Sequence, residues 1–138
     1  MALKAVLLDL GGVVYQGEDA LPGAVEAISR LREAGLALRF LTNTTRKPKR
    51  QVLEKLRGLG VEAETEELFT PAMAARARLE REGLGAHLLA KAALEEDFEG
   101  LLADGDNGAG GALVVADAGD DFTFEALNEA FRVLMDDG

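Results

Sequence analysis

Residues 7–15 read LLDLGGVVY and place a single carboxylate, Asp9, at the end of an apolar run. The run begins at residue 3, and a nearly continuous apolar stretch of this length is typical of a strand buried on both faces of a parallel sheet. Gly11 and Gly12 end the predicted strand, so Asp9 lies at its carboxyl end. Ligands of open α/β sheets bind at the carboxyl ends of strands, which makes Asp9 the first candidate for a functional residue.

Strands and helices alternate along the rest of the chain. Helices are predicted from Pro22 to Gly35 and over residues 48–59, 71–82, 94–102 and 124–135, and further strands are predicted over residues 36–41, 86–90 and 113–116. This alternation predicts an α/β fold with parallel strands. The character of the sequence changes near residues 83–85, so we expect one domain over residues 1–83 and another over residues 84–138.

A second polar pair, Thr42 and Asn43, follows the strand predicted over residues 36–41. A hydroxyl and backbone N–H groups at such a turn can hold phosphate, and a carboxylate such as Asp9 can attack phosphorus or bind Mg²⁺. Taken singly, each has an ordinary interpretation as a solvated strand-end residue or a turn cap. Because parallel strands end at the same edge of a sheet, the two together predict a phosphoryl-transfer site in which Asp9 attacks while Thr42 holds an oxygen.

The composition limits the classes of partner. Hydrophobic residues make up 48% of the 138 residues, there is no Cys, and the net charge is −10. The chain is therefore globular, lacks disulfides and thiolate metal sites, and repels nucleic acids and anionic membranes. We expect a cytoplasmic location and a small phosphorylated substrate. A divalent cation would reverse the negative local field that otherwise repels such a substrate.

Residues 7–15 resemble the opening motif of the haloacid dehalogenase (HAD) superfamily of hydrolases, and FLTNTT at residues 40–45 resembles its second motif. LPGA at residues 21–24 and FTFEALN at residues 122–128 narrow the resemblance to the branch with an α/β cap inserted after the second motif. That branch includes p-nitrophenyl phosphatase-like enzymes and phospholysine, phosphohistidine and pyrophosphate phosphatases. The resemblance implies an incomplete Rossmann-like HAD core, three-layered around a parallel sheet, with part of the cap domain.

The resemblance also implies a function and a site. The chain would belong to a Mg²⁺-dependent phosphatase that acts on a small phosphorylated metabolite through an aspartyl-phosphate. Asp9 would be the nucleophile and a metal ligand, the backbone carbonyl of Gly11 would be a second metal ligand, and Thr42 and Asn43 would bind phosphate.

Two departures from the family pattern predict impaired or absent turnover in this chain. Gly11 stands where the family usually carries a second Asp, whose proton transfer is worth about 10²–10⁴-fold in rate. The family's third motif, with a Lys, and its fourth motif, with acidic metal ligands, follow the cap and would lie beyond Gly138. The chain therefore resembles about the N-terminal half of such an enzyme, and we expect it to need a complementing C-terminal half or to associate as a homo-oligomer through its open sheet edge.

Other interpretations remain open at this stage. The chain could be a non-catalytic HAD relative that binds phosphate or a partner. A receiver-type signalling domain fits less well, because Asp9 lacks an acidic neighbour and a matching late Lys. Gly-Asp-Asp at residues 119–121 is similar to the acidic fourth motif, and Lys91 could be taken for the Lys of the third motif. The sequence around both favours their interpretation as solvated surface side chains.

Overall fold

Two compact units make up the computed structural model of this protein, which describes residues 3–103 and 111–136. The first unit contains the described residues up to Asn43 together with Lys49–Thr70, and the second contains Thr44–Pro48 and the described residues from Pro71 onward. The units divide at Pro71 rather than within residues 83–85. The assignment of residues 1–83 to a core domain and 84–138 to a cap remains a prediction.

The first unit is built on parallel strands flanked by helices. In chain order it contains β1 (Ala5–Asp9), β2 (Tyr15–Gln16), β3 (Asp19–Ala20), α1 (Ala24–Glu33), β4 (Ala37–Leu41), α2 (Lys49–Gly58), a 3₁₀ turn (Thr65–Glu67) and β5 (Leu68–Phe69). The sheet order is β1-β4-β5, and both pairings are parallel, whereas β2 and β3 form a separate antiparallel pair. The parallel α/β architecture predicted from the sequence is therefore present.

One face of this sheet carries the hydrophobic core of the unit. Phe40 and Leu68 are fully buried in the sheet, and Leu56 is fully buried on α2. Alternate residues point to the opposite face, where Leu41 and Phe69 are exposed. Parallel sheets are normally covered on both faces, whereas the outer face of this sheet leaves Leu41 and Phe69 exposed in the described chain.

The second unit contains a two-stranded parallel sheet with helices. In chain order it consists of α3 (Pro71–Glu82), β6 (Gly85–Leu89), a 3₁₀ segment (Ala92–Phe98), β7 (Gly111–Val115), a 3₁₀ turn (Gly119–Asp121) and α4 (Phe124–Asp136). β6 and β7 pair in register from Gly85 opposite Gly111 to Leu89 opposite Val115. Its core is a separate cluster that includes Leu79, Leu94 and Phe98. None of the helices within the described ranges is both long and apolar enough to cross a membrane.

The helix predicted over residues 94–102 is wrong. The chain forms the shorter 3₁₀ segment Ala92–Phe98, and Gly100 then takes a positive φ of 80° that ends it. Residues 101–103 run beside β6 instead, because Ala86 donates its N–H to the Leu101 carbonyl and accepts the N–H of Ala103. Hydrogen bonding to the edge of β6 therefore determines the conformation of residues 101–103, although the spacing of apolar residues over 94–102 predicts a helix.

A bidentate ion pair joins α1 to the 3₁₀ turn that precedes β5. Arg32 donates from Nη1 to Oε1 of Glu67 at 2.8 Å and from Nη2 to Oε2 at 2.6 Å. The hydrogen bond from Arg32 lowers the pKa of Glu67 below its ordinary value of 4.5. Because the folded-state pKa is lowered, the stabilisation is complete above the ordinary value and is lost as the pH falls through the folded-state pKa.

We expect Glu67→Gln to lower the free energy of unfolding by about 1–2 kcal/mol at neutral pH, since it removes a charged acceptor that is largely buried. The difference from the unmodified protein should shrink as the pH falls below the ordinary carboxylate pKa. Urea unfolding at a series of pH values measures both effects. Glu54→Gln is the matched control, because the exposed Arg50–Glu54 pair should contribute close to nothing. A difference in the free energy of unfolding that does not change with pH would contradict the coupling between Glu67 protonation and folding.

Candidate functional site

The parallel pairing of β1 with β4 brings the predicted site residues to one edge of the first unit. Asp9 lies opposite Leu41 in the register, so Thr42 follows directly beside the end of β1. Leu10 donates its N–H to the Leu41 carbonyl at 3.1 Å, and Thr42 donates its N–H to the Phe69 carbonyl at 3.2 Å. Asp9 and Thr42 therefore occupy the carboxyl edge of the same sheet, as the sequence predicts.

The Asp9 side chain is exposed and held in place locally. Its Oδ1 accepts the backbone N–H of Leu10 at 2.8 Å. Within the described residues its Oδ2 accepts no hydrogen bond, so one carboxylate oxygen is oriented and the other is available. That arrangement suits either nucleophilic attack or coordination of a hard cation.

The loop after β1 is a tight turn organised around one carbonyl. The Leu10 carbonyl accepts the N–H groups of Val13, Val14 and Tyr15 at 2.9–3.2 Å. Gly12, at a φ of 77°, donates its N–H to the Tyr15 carbonyl at 2.8 Å. Throughout the described ranges, the Gly11 carbonyl accepts no hydrogen bond, which leaves it able to bind a cation. The family resemblance implies that the carbonyl at this position is a metal ligand.

The β2–β3 hairpin was not predicted as strands from the sequence, and Lys55 of α2 contacts it beside this turn. Lys55 donates from Nζ to the Gly17 carbonyl and to Oε1 of Glu18 at 3.0 Å, and it lies 4.3 Å from the centroid of the Tyr15 ring. Partial burial raises the pKa of the Tyr15 phenol, opposed by the Lys55 ammonium and reinforced by the Asp9 carboxylate. The phenol therefore stays protonated at neutral pH. Gly17 could have indicated the hairpin, because a glycine favours the positive φ that a two-residue hairpin turn requires.

The site residues supply only part of a metal centre. Asp9 and the Gly11 carbonyl are oxygen donors of the kind that Mg²⁺ prefers, which fits the expected ion. The residues described by the structure contain no group of three or more His, Cys, Asp or Glu side chains that could hold a metal. The donors present are therefore compatible with Mg²⁺, which usually takes its remaining octahedral ligands from water and from substrate phosphate.

Lys91 and the acidic residues of the second unit form ion pairs. Nζ of Lys91 lies 2.9 Å from Oδ2 of Asp121, and Nε of Arg46 lies 3.7 Å from Oδ2 of Asp117. A Cβ on Gly119 would lie 2.4 Å from Nη2 of Arg46, so the missing side chain leaves room for this guanidinium. No local sequence pattern indicates the contact between Arg46 and Asp117, because 71 positions separate them.

Comparison with known proteins finds relatives of one kind. The family model for haloacid dehalogenase-like hydrolases matches residues 6–103. The chain is 42% identical over 135 residues to human haloacid dehalogenase-like hydrolase domain-containing protein 2, covering 98% of this chain and 51% of that protein. It is 38% identical over 138 residues to the zebrafish phospholysine phosphohistidine inorganic pyrophosphate phosphatase, covering 97% of this chain and 50% of that protein. The chain thus spans about half the length of these relatives.

Solved structures share the fold. The 4-nitrophenylphosphatase of Thermotoga maritima superposes with a TM-score of 0.83 at 24% identity, covering 97% of this chain and 52% of that one. A glycerol phosphate phosphatase of Mycobacterium tuberculosis, solved in complex with magnesium, superposes with a TM-score of 0.73 at 24% identity, covering 93% of this chain and 40% of that one. Both are phosphatases by name, and at this identity they establish the fold alone.

The two adjacent glycines of the turn should respond differently to a side chain. A Cβ at Gly11 meets no atom within 4 Å, and Gly11 does not take a positive φ, so Gly11→Ala should leave the free energy of unfolding unchanged or raise it slightly. Gly12→Ala should cost about 1 kcal/mol, because Gly12 has the left-handed conformation. Urea unfolding of the two variants measures the contrast, and equal losses would contradict it.

Proposed function

This chain belongs to the haloacid dehalogenase-like hydrolase family, and we propose that it carries the nucleophilic half of a Mg²⁺-dependent phosphohydrolase acting on a small phosphorylated metabolite. The observation that carries the proposal is the edge shared by β1 and β4, where Asp9 with an available Oδ2 lies beside the backbone of Thr42. The phosphatase names of the zebrafish relative and the solved structures support the same chemistry.

The proposed reaction has two steps. In the first, a carboxylate oxygen of Asp9 attacks phosphorus, and the bond from phosphorus to the leaving oxygen breaks as the aspartyl-phosphate forms. In the second, water attacks phosphorus and the bond to Asp9 breaks, which releases inorganic phosphate and restores the carboxylate. The hydroxyl of Thr42 and the amide of Asn43 would hold the phosphoryl oxygens as charge develops on them.

The Asp9 carboxylate and the Gly11 carbonyl would hold Mg²⁺ at this site. The cation would neutralise the charge of the phosphoryl group, which a chain of net charge −10 otherwise repels. The M. tuberculosis phosphatase, solved in complex with magnesium and with calcium, supports a divalent cation. Mg²⁺ usually keeps several waters beside one or two carboxylates and substrate phosphates, so these two donors would share the cation with water, with the bound phosphate and with any acidic ligand of the completing half.

The outer face of the first sheet supports the proposal of a completing half. Leu7, Leu41 and Phe69 are exposed on this face, and β1 pairs only with β4 in the described chain. A polypeptide equivalent to the unmatched half of the relatives would cover the apolar face and bring the remaining metal ligands. The proposed role of the present chain is to supply the nucleophile and the phosphate-binding turn.

Gly11 favours a second candidate function, a relative that binds phosphate without turning it over. A glycine has no proton to give to the leaving oxygen, so the acid must be water or a group outside this loop. Mg²⁺-dependent binding of inorganic phosphate without hydrolysis, measured by calorimetry in the presence of the completing half, would favour this second function.

Asp9→Asn should abolish hydrolysis if the first function is correct, because an amide is not a nucleophile toward phosphorus. The assay combines the 138-residue chain with a polypeptide of the unmatched half of the human relative. Light scattering first establishes association, and Mg²⁺-dependent hydrolysis of p-nitrophenyl phosphate is then measured. Asp19→Asn, which alters an exposed carboxylate on the hairpin, is the matched control and should retain full activity. Full turnover by the Asp9→Asn variant would refute the proposal.

Gly11→Asp should raise turnover in the same mixture by up to about 10²–10⁴-fold, because it restores an acid beside the leaving oxygen. The open space around Gly11 accommodates the first atom of the new side chain. Gly11→Asn, which has the same shape and no transferable proton, is the control. An equal gain from both variants would show that proton transfer is not the cause.

A further inference from the structure

Lys55 of α2 contacts the β2–β3 hairpin at three points. Its ammonium donates to the Gly17 carbonyl and, at 3.0 Å, to Oε1 of Glu18. It also lies 4.3 Å from the centroid of the Tyr15 ring, within the range of a cation–π interaction. The side chain of Lys55 is 16% exposed, whereas that of Glu18 is 82% exposed. The carbonyl and the ring therefore contribute most to the attachment, because an ion pair with so exposed a carboxylate contributes little.

The hairpin depends on contacts of this kind because it is very short. β2 and β3 contain two residues each, and they pair with each other in a sheet separate from β1-β4-β5. An isolated two-stranded hairpin is at best marginally stable in water, so its position is determined by what it packs against. Tyr15 packs partly against the core of the first unit, and Lys55 adds one contact to this residue and two to the hairpin turn.

Tyr15 links the hairpin to the turn that carries the Gly11 carbonyl. Its N–H donates to the Leu10 carbonyl at 3.2 Å, and its carbonyl accepts the N–H of Gly12 at 2.8 Å. The Gly12 N–H and the Gly11 carbonyl belong to the same planar trans peptide unit and therefore point in opposite directions. The hydrogen bond to Tyr15 thus directs the Gly11 carbonyl away from the Tyr15 backbone.

A peptide unit between two glycines has little else to restrain its rotation. Neither Gly11 nor Gly12 has a Cβ to restrict its dihedral angles, and the space that a Cβ would take at either position is open. The orientation of this peptide unit therefore depends on the backbone hydrogen bond to Tyr15. Loss of the contacts that hold Tyr15 should allow the unit to rotate and the Gly11 carbonyl to change direction.

We propose that Lys55 is a positioning residue, which fixes the direction of the Gly11 carbonyl by holding Tyr15 and the hairpin. The contacts run from the Lys55 ammonium to Tyr15, and from Tyr15 to the peptide unit that contains the carbonyl. The proposal rests on the phosphohydrolase function for the ligand of that carbonyl, a Mg²⁺ ion shared with Asp9.

Amide hydrogen exchange followed by NMR without Mg²⁺ tests the positioning directly. Lys55→Met keeps the apolar stem and removes the ammonium, so the Gly12 N–H should exchange about tenfold faster as its hydrogen bond opens more often. Exchange of the Leu10 N–H, which donates to a carbonyl of β4, should not change. Lys4→Met alters an exposed lysine of the same unit and is the matched control, with no change at either amide. An unchanged Gly12 rate in Lys55→Met, or an equal acceleration at Leu10, would overturn the proposal.

Mg²⁺ affinity tests what the position of the carbonyl does. NMR titration with MgCl₂ alone should shift the Gly11 and Gly12 amides of the unmodified chain, and Asp9→Asn should abolish the response. Removing a positive charge would by itself strengthen Mg²⁺ binding, and Lys4→Met measures the size of that electrostatic effect. Positioning predicts the opposite sign, so Lys55→Met should weaken Mg²⁺ binding by about tenfold, as expected for a residue that orients a metal ligand.

The positioning role and the proposed function fail in different ways. No Mg²⁺ response, or a response that survives Asp9→Asn, would contradict the proposed function, and the exchange rate of Gly12 would still decide whether Lys55 holds the turn. Unchanged or tighter Mg²⁺ binding by Lys55→Met, with the response still lost in Asp9→Asn, would refute the positioning role and leave the proposed function intact.

Discussion

The parallel pairing of β1 with β4 is the constraint on which the candidate site depends. Hydrogen bonds fix the register of the two strands, and a slip of one residue would turn every side chain of β1 to the opposite face. In the observed register Asp9 lies opposite Leu41 and on the outer face, away from the core that holds Phe40. A carboxylate is tolerated at the end of a strand this apolar because it lies where the sheet stops and solvent begins.

Much of this arrangement could be predicted from the sequence because it rests on local rules. Apolar runs ended by glycine mark β1 and β4, and Pro71 and Gly83 enclose α3 as predicted. Parallel strands joined by a helix must end at the same edge, so the proximity of Asp9 and Thr42 followed without knowledge of any side-chain contact. The part of the site that could be predicted is the part that the backbone determines.

The failures share a different physical cause, which is pairing between segments far apart in sequence. Residues 101–103 carry helical periodicity, yet they bond to β6, about fifteen residues earlier in the chain. Lys55 fastens a hairpin 38 positions away, and a sequence pattern does not register such a contact. The exposure of Phe124 and Phe131 on α4 is a related feature, since the helix over residues 124–135 was predicted from the sequence while the exposure of these side chains in the described chain is visible only in three dimensions.

The empty space beside Gly11 has an evolutionary consequence. Glycine and aspartate codons can differ in a single base, and the backbone at this position accepts a Cβ without moving any neighbour. Under the proposed function, a substitution that adds or removes the first side-chain atom here therefore requires no compensating change in the core. The choice of residue at position 11 is therefore not constrained by packing, and any constraint on it would come from the chemistry of the proposed site.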